Sequence, residues 1–119
     1  MDKINIAEKF ATFNEYWSPK IVADVNGQQV KLVKFVGPFV WHHHEHEDEL
    51  FLVVKGRFCM EFRDRQVWLE TGEFLVVPRQ VEHRPMAEEE VEVLLFEPAG
   101  TLNTGNTQGT LTVAEPQRL

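Results

Sequence analysis

A single cysteine, Cys59, stands among 119 residues, so no disulfide can close within the chain. That fits a reducing compartment. Basic residues are scarce as well. Twelve Lys and Arg face nineteen Asp and Glu, a formal net charge of −7. Such a surface repels phosphate backbones, and no cluster of Lys and Arg overturns the average, which argues against nucleic acid as a partner. No apolar run approaches the ~20 residues that a membrane-spanning helix needs. The opening Met1-Asp2-Lys3-Ile4-Asn5 lacks the basic-then-apolar layout of a signal peptide. The expectation is a soluble, cytoplasmic chain.

What is present suits a packed interior. Hydrophobic residues make up 43% of the chain and include nine phenylalanines, enough to fill a barrel. A chain of this size buries roughly two thirds of its unfolded surface without staples. One domain over residues 1–119 is expected, with a helix near 5–14, a barrel near 20–97 and a tail over 98–119.

The helix rests on Asn5 as N-cap with Glu8 three residues later, and on Ile6, Phe10 and Phe13 at helical spacing. Beyond Trp17-Ser18-Pro19 the chain reads as short strands separated by turns. Asn26-Gly27 supplies the turn of a hairpin between 21–25 and 28–36. Further strands are expected over 39–44, 50–54, 57–63, 66–69, 74–77, 82–86 and 91–96, with Glu88-Glu89-Glu90 as a solvated turn. Phe58, Met60 and Phe62 alternate with Cys59, Glu61 and Arg63, as a half-buried strand requires. Strands at such spacing indicate an all-β sandwich or barrel.

Of five histidines, four fall between positions 42 and 46. Residues two apart on a strand share a face, so His42 and His44 point the same way, roughly 6.6 Å apart along the strand. His43 points oppositely, and His46 lies in an acidic turn. Two imidazoles and a carboxylate, from Glu49 or from Asp48 or Glu47, make a set able to chelate a transition metal. His83 joins them only if the fold brings its strand alongside. A histidine-rich loop with adventitious metal affinity is the plainer reading of the cluster. An expression tag is disfavoured by the mid-chain position.

These residues resemble the two motifs of the cupin superfamily. His42-x-His44, four residues, Glu49, six residues and Gly56 follow the first motif, with Gly37 one residue closer than its leading glycine. Gly72, Pro78 and His83 follow the second, in which Gln80 replaces a glycine and Ala87 a terminal asparagine. The replacement asks for a turn that avoids positive φ at Gln80. The resemblance implies a double-stranded β-helix, or jelly-roll barrel, with a short N-terminal helix. It also implies one divalent metal (Fe, Mn, Ni, Co, Cu or Zn) held by His42, His44, Glu49 and His83. Trp41-His42, Asp48-Glu49-Leu50-Phe51, Val77-Pro78 and Asn103-Thr104-Gly105 look like small stand-alone bacterial cupins, some loosely called mannose-6-phosphate isomerase-like. That label reports a shared fold more than a shared substrate.

The implied function is a small metalloenzyme of oxygenase or isomerase type acting on an organic acid, a dicarbonyl, an enol or a sugar-like substrate. Glu49 would double as a catalytic proton shuttle. The alternative is a binding or sensor barrel that uses the metal as an anchor. Arg57, Arg63, Arg65, Arg79 and Arg84 are scattered, and the alternation turns Arg63 and Arg84 away from the interior, which counts against a phosphorylated substrate. A homodimer is expected, with Phe10, Phe13, Tyr16 and Trp17 as apolar anchors.

Overall fold

Residues 1–119 are described by a computed structural model. Helix α1 covers Ile6–Phe10 and is followed by strands β1 (Lys20–Val25), β2 (Gln28–Pro38), β3 (Glu49–Lys55), β4 (Phe58–Phe62), β5 (Arg65–Leu69), β6 (Phe74–Val77) and β7 (His83–Pro98). The cap of α1 forms as its sequence dictates, with the Glu8 amide donating to Asn5 Oδ1 at 3.0 Å. The helix is shorter than expected and closes at Ala11.

β1 and β2 form the expected hairpin, with Asn26 at φ 49° and Gly27 at φ 80° in the turn. β7 organises the rest. It pairs along most of β2, its second half also pairs β3, and its first half pairs β4. The path β1-β2-β7-β3-β6, with β5 beyond β4, therefore folds round on one long strand into the jelly-roll barrel. Glu88-Glu89-Glu90 is not a turn: these residues are exposed within β7, where the β2–β7 register shifts between Phe35 and Gly37. A bulge accommodates the extra length while the ladder continues on either side.

Val33, Phe35, Phe51, Phe58, Met60 and Val93 belong to the main core. Leu32 faces the other way and packs against Phe10 and Phe13. β2 is thus covered on both faces, which is why its burial runs on from Lys31 to Phe35 instead of alternating. Each phenylalanine so buried contributes on the order of 1.5–3 kcal/mol. The Lys34 ammonium donates to Phe13 O at 2.9 Å, fixing the segment after the helix.

Phe10 and Phe13 are consequently spent inside the chain, and Trp17 stacks between Phe35 and Phe39. Tyr16 remains exposed and donates to Glu90 Oε1. The tail is edge-packed. Ile21 accepts from the Leu119 amide and donates to Gln117 O, both at 2.9 Å. No helix is long and apolar enough to cross a membrane.

Candidate metal centre

The expected strand over 39–44 does not form a ladder. Only one bridge is made, between His42 and His83, through His42 N–H to His83 O (3.1 Å) and His83 N–H to His42 O (2.9 Å). The extended segment is held instead by its surroundings. Phe39 donates to Pro85 O at 2.9 Å, and His43 N–H donates to Asn106 Oδ1 at 2.9 Å.

His44 lies two residues on from His42, and its carbonyl accepts from the Gln80 amide at 2.6 Å. Gln80 takes φ 69°, so the expectation that its turn avoids positive φ is overturned. The hydrogen bond to His44 O, and a longer one from Gln80 Nε2 to Glu45 O at 3.5 Å, compensate a conformation that costs a side chain energy. Glu49 opens β3 opposite Val77, so sheet pairing fixes its direction. His83 opens β7.

His42, His44, Glu49 and His83 are all buried, and one potential ligand atom from each falls within 4.8 Å of every other. The ring centroids of His42 and His83 are 4.3 Å apart, and those of His42 and His44 are 5.0 Å apart. His44 Nε2 is 2.8 Å from Glu49 Oε1, and His83 Nε2 is 3.4 Å from the same oxygen. His42 Nδ1 lies 2.9 Å from Val40 O and His83 Nδ1 lies 2.8 Å from Val81 O. A carbonyl can only accept, so each Nδ1 carries a hydrogen and each Nε2 faces inward, where it can bind a metal ion once deprotonated.

His83 Nε2, both His44 ring nitrogens and Glu49 Oε1 are buried and have no hydrogen-bond partner outside this cluster. Polar atoms left this way are costly unless another group satisfies them. Three imidazoles and a carboxylate, preset around one point, are the donor set a borderline transition metal requires. The residues fit such an ion.

The charges agree. Burial pushes the His42 pKa down to about 4, with the neighbouring His83 adding to the effect, so its ring is a free base at neutral pH. Burial opposes ionisation of Glu49, but the His44 and His83 imidazoles outweigh it and hold the carboxyl below its ordinary range. Asp48, one alternative to Glu49, is exposed and bound to Arg79 at 3.2 Å. Glu47, the other, reaches no closer than 3.8 Å to His44 Nδ1, on the side away from Glu49. His43 faces Glu45 at 2.5 Å, and His46 is exposed.

Two charged residues near the centre were not singled out by sequence reasoning. Glu97 and Lys31 are each 2% exposed, with Lys31 Nζ 3.4 Å from Glu97 Oε1. Burial, then the negative charge of Glu49 and a hydrogen bond with it, push the Glu97 pKa well up. A signal existed: Glu97 continues the face of Val91, Val93 and Leu95, and Lys31 that of Val33 and Phe35, so each puts a charge on an apolar stripe.

Glu97 and Glu49 border a narrow cavity of about 40 Å³ that is open to solvent. Trp17, Phe35, Phe39 and Phe51 make much of its wall, and His42 faces it. Behind His42 the tail approaches closely. A Cβ on Gly105 would lie 2.2 Å from His43 O and 3.0 Å from His42 Cδ2, so only glycine fits there.

A jelly-roll barrel carrying three histidines and a glutamate at its interior mouth defines a class of small metal-site barrels. The family model described as "Cupin domain" matches residues 34–97, and the chain belongs to that family. It is 34% identical over 80 residues to YdbB of Bacillus subtilis, described as an uncharacterized protein, across 66% of this chain and 65% of YdbB. The match thus spans just under two thirds of that relative's length. Among solved structures, it resembles a cupin-2 domain containing protein from Shewanella frigidimarina at 47% identity and a TM-score of 0.79, covering 80% of this chain and 93% of that one. It resembles NMB1881 of Neisseria meningitidis at 34% identity and a TM-score of 0.76, covering 82% of this chain and all of the other.

Proposed function

We propose that this chain binds one divalent transition metal through His42, His44, Glu49 and His83 and is a metalloenzyme of oxygenase or isomerase type. Its substrate is a small organic acid, a dicarbonyl, an enol or a sugar-like compound. The observation that carries the reading is the convergence of four buried side chains, of which His44, Glu49 and His83 have inward atoms with no hydrogen-bond partner outside the cluster. Membership of the cupin family supports it.

Bound there, the metal would supply Lewis acidity toward substrate oxygens. The chain's own residues do the rest. Val40 O and Val81 O keep the His42 and His83 rings oriented. Glu49 lines the cavity beside the histidines and would carry a proton there, and Glu97 lines the same cavity. The aromatic wall excludes water from one side. Arg63 lies over Trp41 and Arg84 pairs with Glu61, so neither is free in the cavity to hold a phosphate.

The test is elemental analysis of untagged protein, wild type beside His83→Ala. Near one equivalent of a transition metal, lost in the variant, is the expected result. Iron, nickel or copper would direct assays to oxygen consumption, and zinc to isomerisation or hydrolysis. Absence of metal, with no uptake on adding Fe, Mn, Ni or Zn, would overturn the reading in favour of a metal-free binding barrel.

The second reading, a ligand-binding or sensor barrel with the metal as anchor, is favoured by the modest, largely apolar cavity. Turnover of any substrate separates the two. For either, we infer a homodimer. Since Phe10 and Phe13 are buried, the exposed Phe74 and Val76 on β6 offer the apolar surface it needs, and sedimentation showing only monomer at high concentration would remove it.

A further inference from the structure

His44 is the one metal-site histidine whose outer ring nitrogen has no acceptor. The rings of His42 and His83 each donate from Nδ1 to the carbonyl two residues back, Val40 O at 2.9 Å and Val81 O at 2.8 Å. The equivalent carbonyl for His44 is that of His42, and it already accepts from the His83 amide at 2.9 Å across the bridge. His44 Nδ1 is left buried with no hydrogen-bond partner. Its Nε2 is the inward atom, 2.8 Å from Glu49 Oε1. With a metal at Nε2, the hydrogen of the neutral ring sits on Nδ1, and a buried N–H needs an acceptor.

The acceptor in reach is Glu47. Its Oε1 lies 3.8 Å from His44 Nδ1, about 1 Å longer than a hydrogen bond. The Glu47 side chain is half-buried, so it can close that gap by turning, without unpacking the core. The loop that carries it is tied down on both sides. His44 O accepts from the Gln80 amide at 2.6 Å, and Asp48 Oδ1 accepts from the Arg79 amide at 2.8 Å. Neighbouring carboxylates are already engaged, Glu45 with His43 and Asp48 with Arg79. A carboxylate at Nδ1 fixes the tautomer and orientation of a metal-bound imidazole and raises its basicity.

We propose that Glu47 is the positioning residue of His44. In the metal-loaded chain its carboxylate accepts the Nδ1 hydrogen and keeps Nε2 turned toward the ion, while Glu47 itself stays off the metal. The inference rests on the metal reading above and adds to it a role for the acidic loop.

The test uses the full, untagged chain and Zn(II), with affinity read by competition against a chelator. Glu47→Ala is expected to bind Zn(II) about ten- to a hundredfold more weakly than wild type, still at one equivalent. Glu47→Gln keeps an oxygen that accepts the N–H and should recover a large part of that loss. Glu45→Ala removes a charge from the same loop and should stay within about twofold of wild type. Proton NMR of the loaded, 15N-histidine-labelled chain reads the contact itself. The His44 Nδ1–H should give a downfield, slowly exchanging resonance in wild type. It should move upfield in Glu47→Gln and be lost to exchange with water in Glu47→Ala. Should Glu47→Ala fail to fold, that resonance in wild type and in Glu47→Gln decides the matter. Should only Fe, Mn or Ni bind, the same affinities are compared with that ion. Equal affinity in wild type and Glu47→Ala, an equal loss in Glu45→Ala, or a resonance unmoved in Glu47→Gln overturns the inference alone. No uptake of Zn(II), Fe, Mn or Ni by wild type overturns the metal reading and this inference with it.

Discussion

His42 and His83 exchange two backbone hydrogen bonds, of 3.1 and 2.9 Å, and these set their imidazoles side by side with centroids 4.3 Å apart. Directly opposed residues that exchange both bonds are the most constrained pair an antiparallel bridge offers. The bridge joins the start of β7 to a segment with no other strand pairing of its own.

Metal should therefore stabilise the fold as well as occupy it. At a free Co(II) concentration of one hundred times its dissociation constant, wild type is expected to gain about 2.7 kcal/mol. His83→Ala should gain almost nothing. Thermal melts with Co(II) and with a chelator check this, and equal shifts in both proteins would count against a shared site.

The metal-free chain should weaken in acid because of His42. An unfolded chain takes up a proton there near pH 6.5, whereas the folded chain resists until about pH 4. Stability is thus complete above 6.5 and is lost as pH falls through that window, with a ceiling of about 3 kcal/mol from this residue. Urea unfolding at pH 7 and pH 4.5 should give a shallower pH dependence for His42→Asn than for wild type.

Glu97 titrates in the opposite sense. Its folded pKa is raised, so in the metal-free chain its contribution is present below the ordinary 4.5 and is lost as pH climbs toward the folded value. The carboxyl can therefore shed its charge when its partner is removed, and Lys31→Met should be the milder of two changes. Glu97→Leu leaves the Lys31 ammonium buried without its counter-charge and should cost about 3–5 kcal/mol. The double variant should recover part of that loss in urea unfolding. Equal costs for the two single changes would contradict this account of the pair.

Gly105→Ala should damage the metal centre from outside it. The added Cβ meets His43 O at 2.2 Å, and φ at this position is 58°. By geometry the clash falls on the backbone of His43 and so on the placement of His42 and His44 on either side. A loss of roughly 1–3 kcal/mol and weaker Co(II) uptake are expected. Gly109→Ala, with nothing within 4 Å of the new Cβ, is the control and should be near neutral.

The sequence by itself determined what depends on neighbours in the chain. The Asn26-Gly27 hairpin, the Asn5 cap and the spacing of His42, His44 and Glu49 are local, and the strand periods place most core residues. Even His83 was legible, through the resemblance of its Gly72 and Pro78 frame to a known motif. Tertiary structure alone decided what depends on register between distant strands. Gln29 opposite Glu97 and Lys31 opposite Leu95 bring a buried ion pair to Glu49, and no local period specifies that pairing. It also decided that the segment bearing His42 and His44 is held by a single bridge and the tail in place of a ladder. Two backbone conformations were settled the same way. Gln80 and Trp17 both take positive φ against their intrinsic preference, because the His44 carbonyl in one case and the Phe35–Phe39 stack in the other compensate the cost. Local propensity is worth tenths to about one kcal/mol per residue, and a well-placed long-range contact can exceed it.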